Sequence, residues 1–239
     1  MWTICTKELR QFFSSLSGYI AIIVFLLVNG LVLFVFQDNI FDFGYATLDK
    51  FFTLAPWILL LLVPAITMRS FSDEFKSGTF EVLQTLPLSR WQIVLGKFLG
   101  SFFVVIIALV PTLVYIVSIG RLSAGEGLDM GATIGSYIGL FFLSAVFTAI
   151  GTCASSFTPH SVVALLLSLA GCAVIYYGFH AAANIQGLSN TAAYYIELAG
   201  IDFHYQSVSR GVMDTRDIIY FLSLAAFFLL LTHQNLKRR

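Results

Sequence analysis

The sequence predicts an all-α membrane protein. Six transmembrane helices are expected, with an N-terminal interfacial amphipathic helix and a short amphipathic helix between the second and third spans. Three observations predict it. First, the 239 residues are 58% hydrophobic and only 11% charged, where a soluble domain carries about 25% charged residues. Second, six runs lack Asp, Glu, Lys and Arg altogether: Tyr19–Phe36, Phe51–Met68, Phe98–Ile119, Gly131–Cys153, Ser161–Ala183 and Ile218–Leu236. Each has the roughly 17–25 residues that a helix rising about 1.5 Å per residue needs to cross some 30 Å of hydrocarbon. Third, the net charge of zero hides a segregation. Both termini and the 69–97 and 154–160 connections hold nine of the thirteen basic residues, and the other connections hold nine of the thirteen acidic ones. Cytoplasmic loops collect Lys and Arg, so both termini are expected in the cytoplasm. Helices rather than a barrel follow because backbone groups in lipid must bond within their own segment, and the sequence has no alternating strand pattern.

Residues 1–17 come first as a unit, ahead of the six-helix domain over 18–239. Trp2, Cys5, Leu9, Phe12, Phe13 and Leu16 recur at helical spacing, opposite Thr3, Lys7, Arg10, Gln11 and Ser14. Such a helix lies in the interface with its basic edge towards lipid headgroups. Trp2, Lys7 and Arg10 are its candidate contacts, for membrane lipids and for a partner on that side. A cleaved signal is not expected, because the first apolar run leads directly into further spans.

The outer connections are Gln37–Lys50, Gly120–Met130 and a longer one around 184–216. In the last, Tyr194, Tyr195, Phe203 and Tyr205 suit short helices in the outer interface. Gly131, Gly135 and Gly139 fall on one face of the fourth span, which admits a close helix neighbour either within the chain or from a second copy. Pro56, Pro64 and Pro111 each remove a helix hydrogen bond and are expected to bend their spans. Tyr176, Tyr177 and His180 gather near the outer end of the fifth span. They are candidates either for interfacial hydrogen bonding or for a substrate path.

No catalytic chemistry is legible. The motifs GxxxxGK[ST], HExxH and GxSxG are absent, and Cys5, Cys153 and Cys172 make no CxxC pair. Neither a metal nor a cofactor in this chain is expected, nor a nucleic-acid partner. The spans also lack the intramembrane carboxylates that mark ion-coupled carriers. A transport-type bundle without an energy source is either passive or driven by another subunit.

That directs attention to "FSDEFKSGTFEVLQTLP", residues 71–87. Phe71, Phe75, Val82, Leu83 and Leu86 are apolar at near-helical spacing, while Asp73, Glu74, Lys76, Glu81 and Gln84 are polar. Gly78 is expected to break the helix, leaving a turn and then a compact helix from about Thr79 to Leu86. Pro87 ends it. Ser89 and Gln92 form an S-x-x-Q capping box for the next helix, with Trp91 and Lys97 as interfacial anchors. The apolar side of this segment either caps the underside of the bundle or fills a groove on a soluble partner.

The stretch from Asp73 to Gly100 resembles the signature loop of ABC-2-type permeases. Glu74, Gly78, Thr79, Glu81, Leu83, Pro87, Ser89, Ile93, Gly96 and Lys97 match in order. The resemblance extends over the whole chain. It implies the membrane subunit of an ATP-driven exporter in a bacterial inner membrane, working with a separate ABC ATPase that carries ATP and Mg, and with a second permease copy or a homologous permease. It further implies that Phe71, Asp73, Glu74, Phe75, Gly78, Thr79, Phe80, Glu81, Leu83, Gln84, Leu86 and Pro87 form the coupling segment. The C-terminal part resembles gliding-motility-associated permeases of the GldF type, through Phe203, Ser209, Arg210, Gly211, Asp214, Arg216, Asp217, Tyr220, Phe221, Leu222 and Ser223. Asp214, Arg216 and Asp217 also read as caps for the last span. Two other classes stay open: a non-transporting anchor that recruits an ATPase, and an ATP-independent channel or carrier.

Overall fold

A computed structural model describes residues 1–36, 47–85, 87–122, 128–185, 189–211 and 214–238, the side chains of Ser17 and Leu122 excepted. Leu86 of the expected coupling helix and much of the first two outer connections fall outside those residues. Thirteen α-helices are described, and no strand among the described residues. They are α1 Trp2–Phe13, α2 Leu16–Phe34, α3 Asp49–Thr67, α4 Ser72–Ser77, α5 Thr79–Thr85, α6 Arg90–Leu109, α7 Leu113–Leu122, α8 Met130–Phe157, α9 Ser161–Ala173, α10 Phe179–Ala183, α11 Asn190–Leu198, α12 Ile201–Ser209 and α13 Thr215–Arg238.

Five stretches are long and apolar enough to cross a membrane: Asp49–Ser77, Arg90–Arg121, Met130–Phe157, Ser161–Ala183 and Thr215–Arg238. A sixth is counted when α1 and the Gly18–Phe34 part of α2, bent by 74° at their junction, are taken together as one span. That bend lays α1 across the end of the bundle, as its amphipathic pattern requires. Ser15 makes the corner by accepting a hydrogen bond from the Gly18 N–H. The prolines act unequally. α3 runs unbroken through Pro56 and Pro64, whereas Pro111 sits in a 3₁₀ turn, Val110–Thr112, that joins α6 to α7.

α8 is the most buried span, packing against α3, α6, α9, α12 and α13. Small residues let it take that place, since close approach rather than hydrophobic exclusion drives helix packing in lipid. A Cβ on Gly151 would lie 2.0 Å from Thr67 Oγ1. Its hydroxyls are satisfied mostly by the helix itself, as where Thr148 donates to Ser144 O at 2.7 Å. The Gly131–Gly135–Gly139 face is occupied from within the chain: a Cβ on Gly135 would meet Val208 O at 2.6 Å, and one on Gly139 the Tyr205 ring at 3.2 Å. α12 is therefore its neighbour, held in addition by Tyr205 Oη, which donates to Phe52 O at 2.8 Å.

Both ends of the described chain lie at one end of the bundle. Ile4 packs on Gly96 at the start of α6, and Asn235 Nδ2 donates to Ser156 O at 2.6 Å near the end of α8. This end, which also holds α4 and α5, is called the basic end below. The outward faces of α2 (Ile20, Ile23, Val24, Leu27) and α9 (Val162, Leu166, Leu167) are apolar and exposed, as lipid-facing or subunit-facing surfaces must be.

Candidate functional site

At the basic end, α1, α4 and α6 converge on one lysine. Gly96 and Gly100, four apart on α6, admit α1 closely: a Cβ on Gly100 would fall 2.6 Å from Glu8 Cβ. Between these glycines Lys97 points into the protein, with a side chain only 1% exposed. Its ammonium lies 2.7 Å from Glu8 Oε1 and 3.0 Å from Glu74 Oε1, and it donates to Ser70 O. Three donors thus meet three acceptors. The Phe71 ring covers the ammonium with its centroid 5.0 Å away. Lys7 Nζ closes the cluster at 2.8 Å from Glu74 Oε1. Burial pulls the Lys7 pKa down, but the hydrogen bond and charge of Glu74, with the charge of Glu8, outweigh it and hold the group above its ordinary value. Two lysines and two glutamates form a neutral knot that fastens the N-terminal helix to the 71–87 segment and the third span.

This corrects the interfacial reading of Lys97. The lysine does not snorkel to the headgroups, because α1 covers it and supplies its counter-ion. Trp91, the other expected anchor, is partly exposed and stacks on His233 of α13 with ring centroids 4.3 Å apart. The sequence reading passed over His233, although it lies inside the sixth apolar run.

The 71–87 segment is punctuated as expected. α4 ends on Gly78, whose φ of 70° is left-handed, and α5 follows. The Ser89–Gln92 capping box is present in both directions. A tether that sequence reasoning missed holds its root: Ser155 Oγ of α8 accepts from the Phe71 N–H at 2.9 Å and the Ser72 N–H at 3.1 Å. Those are the orphan donors of a helix start.

The candidate coupling residues divide into two sets. Phe71 and Glu74 are buried in the knot, and Phe80 is buried, its ring 4.9 Å from that of Phe75. Phe75 and Leu83 are half-buried against the core, and Asp73 is half-buried too. Those apolar side chains cap the bundle rather than offer themselves outward. Gly78, Thr79, Glu81, Gln84 and Pro87 are exposed, as is Val82 at 65%. The free edge is thus mainly polar with one apolar residue, because the apolar stripe faces inward. On α1, Trp2 is 66% exposed with its ring 6.1 Å from that of Phe103. Arg10 is exposed, and Ile4 and Cys5 form the buried side.

At the opposite end, Tyr176 and Tyr177 line a cleft of about 300 Å³ with Trp57, Asp202 and Gln206. They lie on a π-helical turn, Val174–Gly178, between α9 and α10. Tyr176 is buried and Tyr177 exposed. His180 stands beside the cleft, its Nδ1 3.1 Å from Glu197 Oε1. Asp217 lies in the first turn of α13. Its Oδ1 lies 2.6 Å from Nδ1 of buried His204, whose Nε2 lies 3.0 Å from Leu198 O. The ring is thus held between a carboxylate and a backbone carbonyl. The capping role belongs to Asp214, which accepts from the Arg216 N–H at 3.0 Å. Among the described residues no three His, Cys, Asp or Glu side chains gather where they could hold a metal ion.

The family model described as ABC-2 family transporter protein matches residues 2–236, nearly the whole chain. A comparison with curated proteins gives no match.

Proposed function

Because the chain belongs to the ABC-2 transporter family, we propose that it is the transmembrane permease subunit of an ATP-driven exporter whose ATPase, with its ATP and Mg, is a separate chain. The observation that carries this reading is the division of the 71–87 segment. Its root is held by the Glu8–Lys97–Glu74 knot and by Ser155, while Thr79, Glu81, Val82, Gln84 and Pro87 stand free. A partner that displaces the free edge moves α1, α3 and α6 together, because rigid elements tied by buried ion pairs transmit displacement. The excess of Lys and Arg at this end supports the reading that it and both termini face the cytoplasm, with the chain in a bacterial inner membrane. The exposed apolar faces of α2 and α9 suit a second permease copy or a homologous permease as well as lipid. The likeness of residues 203–223 to gliding-motility permeases of the GldF type is what supports reading the export as one linked to gliding motility or surface-protein secretion.

The test is co-purification with the ATPase. Glu81→Arg and Val82→Asp change only exposed groups. Each is expected to lower ATPase retention about tenfold, the effect of a central interface contact, at unchanged thermal stability. Undiminished retention in both variants would reject this surface as the docking edge.

A further inference from the structure

We propose that the elbow between α1 and α2 is a binding site for one phospholipid with a primary-ammonium headgroup, of the phosphatidylethanolamine type. A cleft of about 360 Å³ lies under this elbow, between it, the end of α3 and α6. Its lining changes character with position along the bundle. Phe12, Ala21, Ala65, Ile66 and Val104 line its apolar part, and Gln11, Ser14, Arg69, Ser70 and Asp73 its polar part. α1 runs across the bundle end while α2 and α3 run along it, so the polar part sits where the apolar spans give way to charge, at headgroup depth.

Three groups in this lining have no side-chain partner among the described residues. Arg69 and Asp73 have opposite charges and line the same cleft, yet they form no ion pair with each other or with any other described residue. Ser70 lies between them in sequence and is 96% buried by its 4% exposure, and its hydroxyl has no hydrogen-bond partner. A headgroup with one phosphate and one ammonium satisfies this set. The phosphate accepts from the Arg69 guanidinium and the Ser70 hydroxyl, and the ammonium donates to the Asp73 carboxylate. A quaternary headgroup has no N–H to give Asp73, and an anionic glycerol headgroup leaves the carboxylate without a cation. The apolar part takes the start of the acyl chains, which a free phosphate would leave empty. Glu8 lines the same cleft while pairing with Lys97, so the lipid would border the buried charge knot.

The experiment equilibrates the full chain in nanodiscs of equal parts dioleoyl phosphatidylethanolamine, phosphatidylcholine and phosphatidylglycerol. The protein is then extracted in mild detergent, and retained lipid is counted by native mass spectrometry. The wild type is expected to keep one phosphatidylethanolamine about tenfold above either competitor, the discrimination of one charge-assisted hydrogen bond. Asp73→Asn should level ethanolamine with choline. Arg69→Ala should lower retention of all three, and Ala65→Leu, which fills the apolar part without touching a charge, should do the same. Equal retention of the three lipids by the wild type would overturn the proposal. So would undiminished selectivity in Asp73→Asn, whose half-exposed side chain allows the substitution without disturbing the core.

Discussion

Lys97 of the third span and Glu8 of the N-terminal helix meet at 2.7 Å inside the protein, 89 positions apart in sequence. Glu74 joins them at 3.0 Å, so one ammonium ties together three elements that no local interaction would assemble. Removing it leaves two glutamates facing Lys7 alone. Lys97→Met is therefore expected to cost about 3–5 kcal/mol, the penalty for breaking one partner out of a buried ion pair. Removing Glu8 and Glu74 charges as well, in the Glu8→Gln/Glu74→Gln/Lys97→Met protein, should recover part of that loss. Thermal unfolding in detergent checks both, and a triple variant less stable than Lys97→Met would contradict the pairing.

The contact of α1 with α6 depends on the absence of side chains at two positions. A Cβ on Gly100 would approach Glu8 Cβ to 2.6 Å and Cys5 O to 3.3 Å, and one on Gly96 would approach Met1 O to 3.0 Å. Gly100→Val should lift α1 off the bundle while leaving the spans assembled. Increased protease cleavage within residues 1–17, with unchanged helix content by circular dichroism, is the expected readout.

Gly78 needs no space but does need its conformation. Nothing lies within 4 Å of a Cβ built there, yet φ is 70°. Gly78→Ala is expected to cost about 1 kcal/mol, and Gly78→Asn less, because Asn tolerates the left-handed region. Since the break sets the angle between α4 and α5, Gly78→Ala should also weaken ATPase co-purification more than its stability cost accounts for. Equal behaviour of the Ala and Asn variants would show that the left-handed turn is not what matters.

Asp202, at the opposite end, supplies a pH dependence. Burial raises its pKa. Hydrogen bonds from Tyr176 and Gln206 and the charge of His180 offset this in part, and the charge of Glu197 adds to it. The folded protein then holds this proton more tightly than the unfolded chain. Its stabilising contribution is complete below the ordinary aspartate range and is lost as pH rises through the raised folded value. Asp202→Asn should remove that slope and raise the melting temperature at neutral pH. An unchanged slope between pH 4 and pH 7 in the variant would refute the assignment.

Much of the architecture was readable from local pattern. The fifth span is Ser161–Ala183 in the sequence reading and in the fold, because its apolar run is bounded by Thr158, Pro159 and His160 before it and by Asn184 after it. The Gly78 break, the Ser89–Gln92 box and the corner between residues 1–17 and the first span depend on residues within a few positions of one another, which sequence displays directly. The amphipathic character of the 71–87 segment was equally plain. What could not be read was the surface its apolar stripe would meet, since periodicity marks a face and not its neighbour.

The sequence by itself determined that this chain is a multi-pass helical membrane protein, where its apolar runs lie, and which short segment breaks the apolar pattern. Helix propensity, capping and transfer from water to lipid are properties of contiguous residues. Only the tertiary structure decided that Lys97 is a buried counter-ion, that Phe71, Glu74 and Phe80 face inward while Glu81 and Val82 face out, and that Asp217 pairs with His204. Each of these depends on groups brought together from distant positions. In a low-dielectric interior the partner of a charge decides whether it can be buried at all.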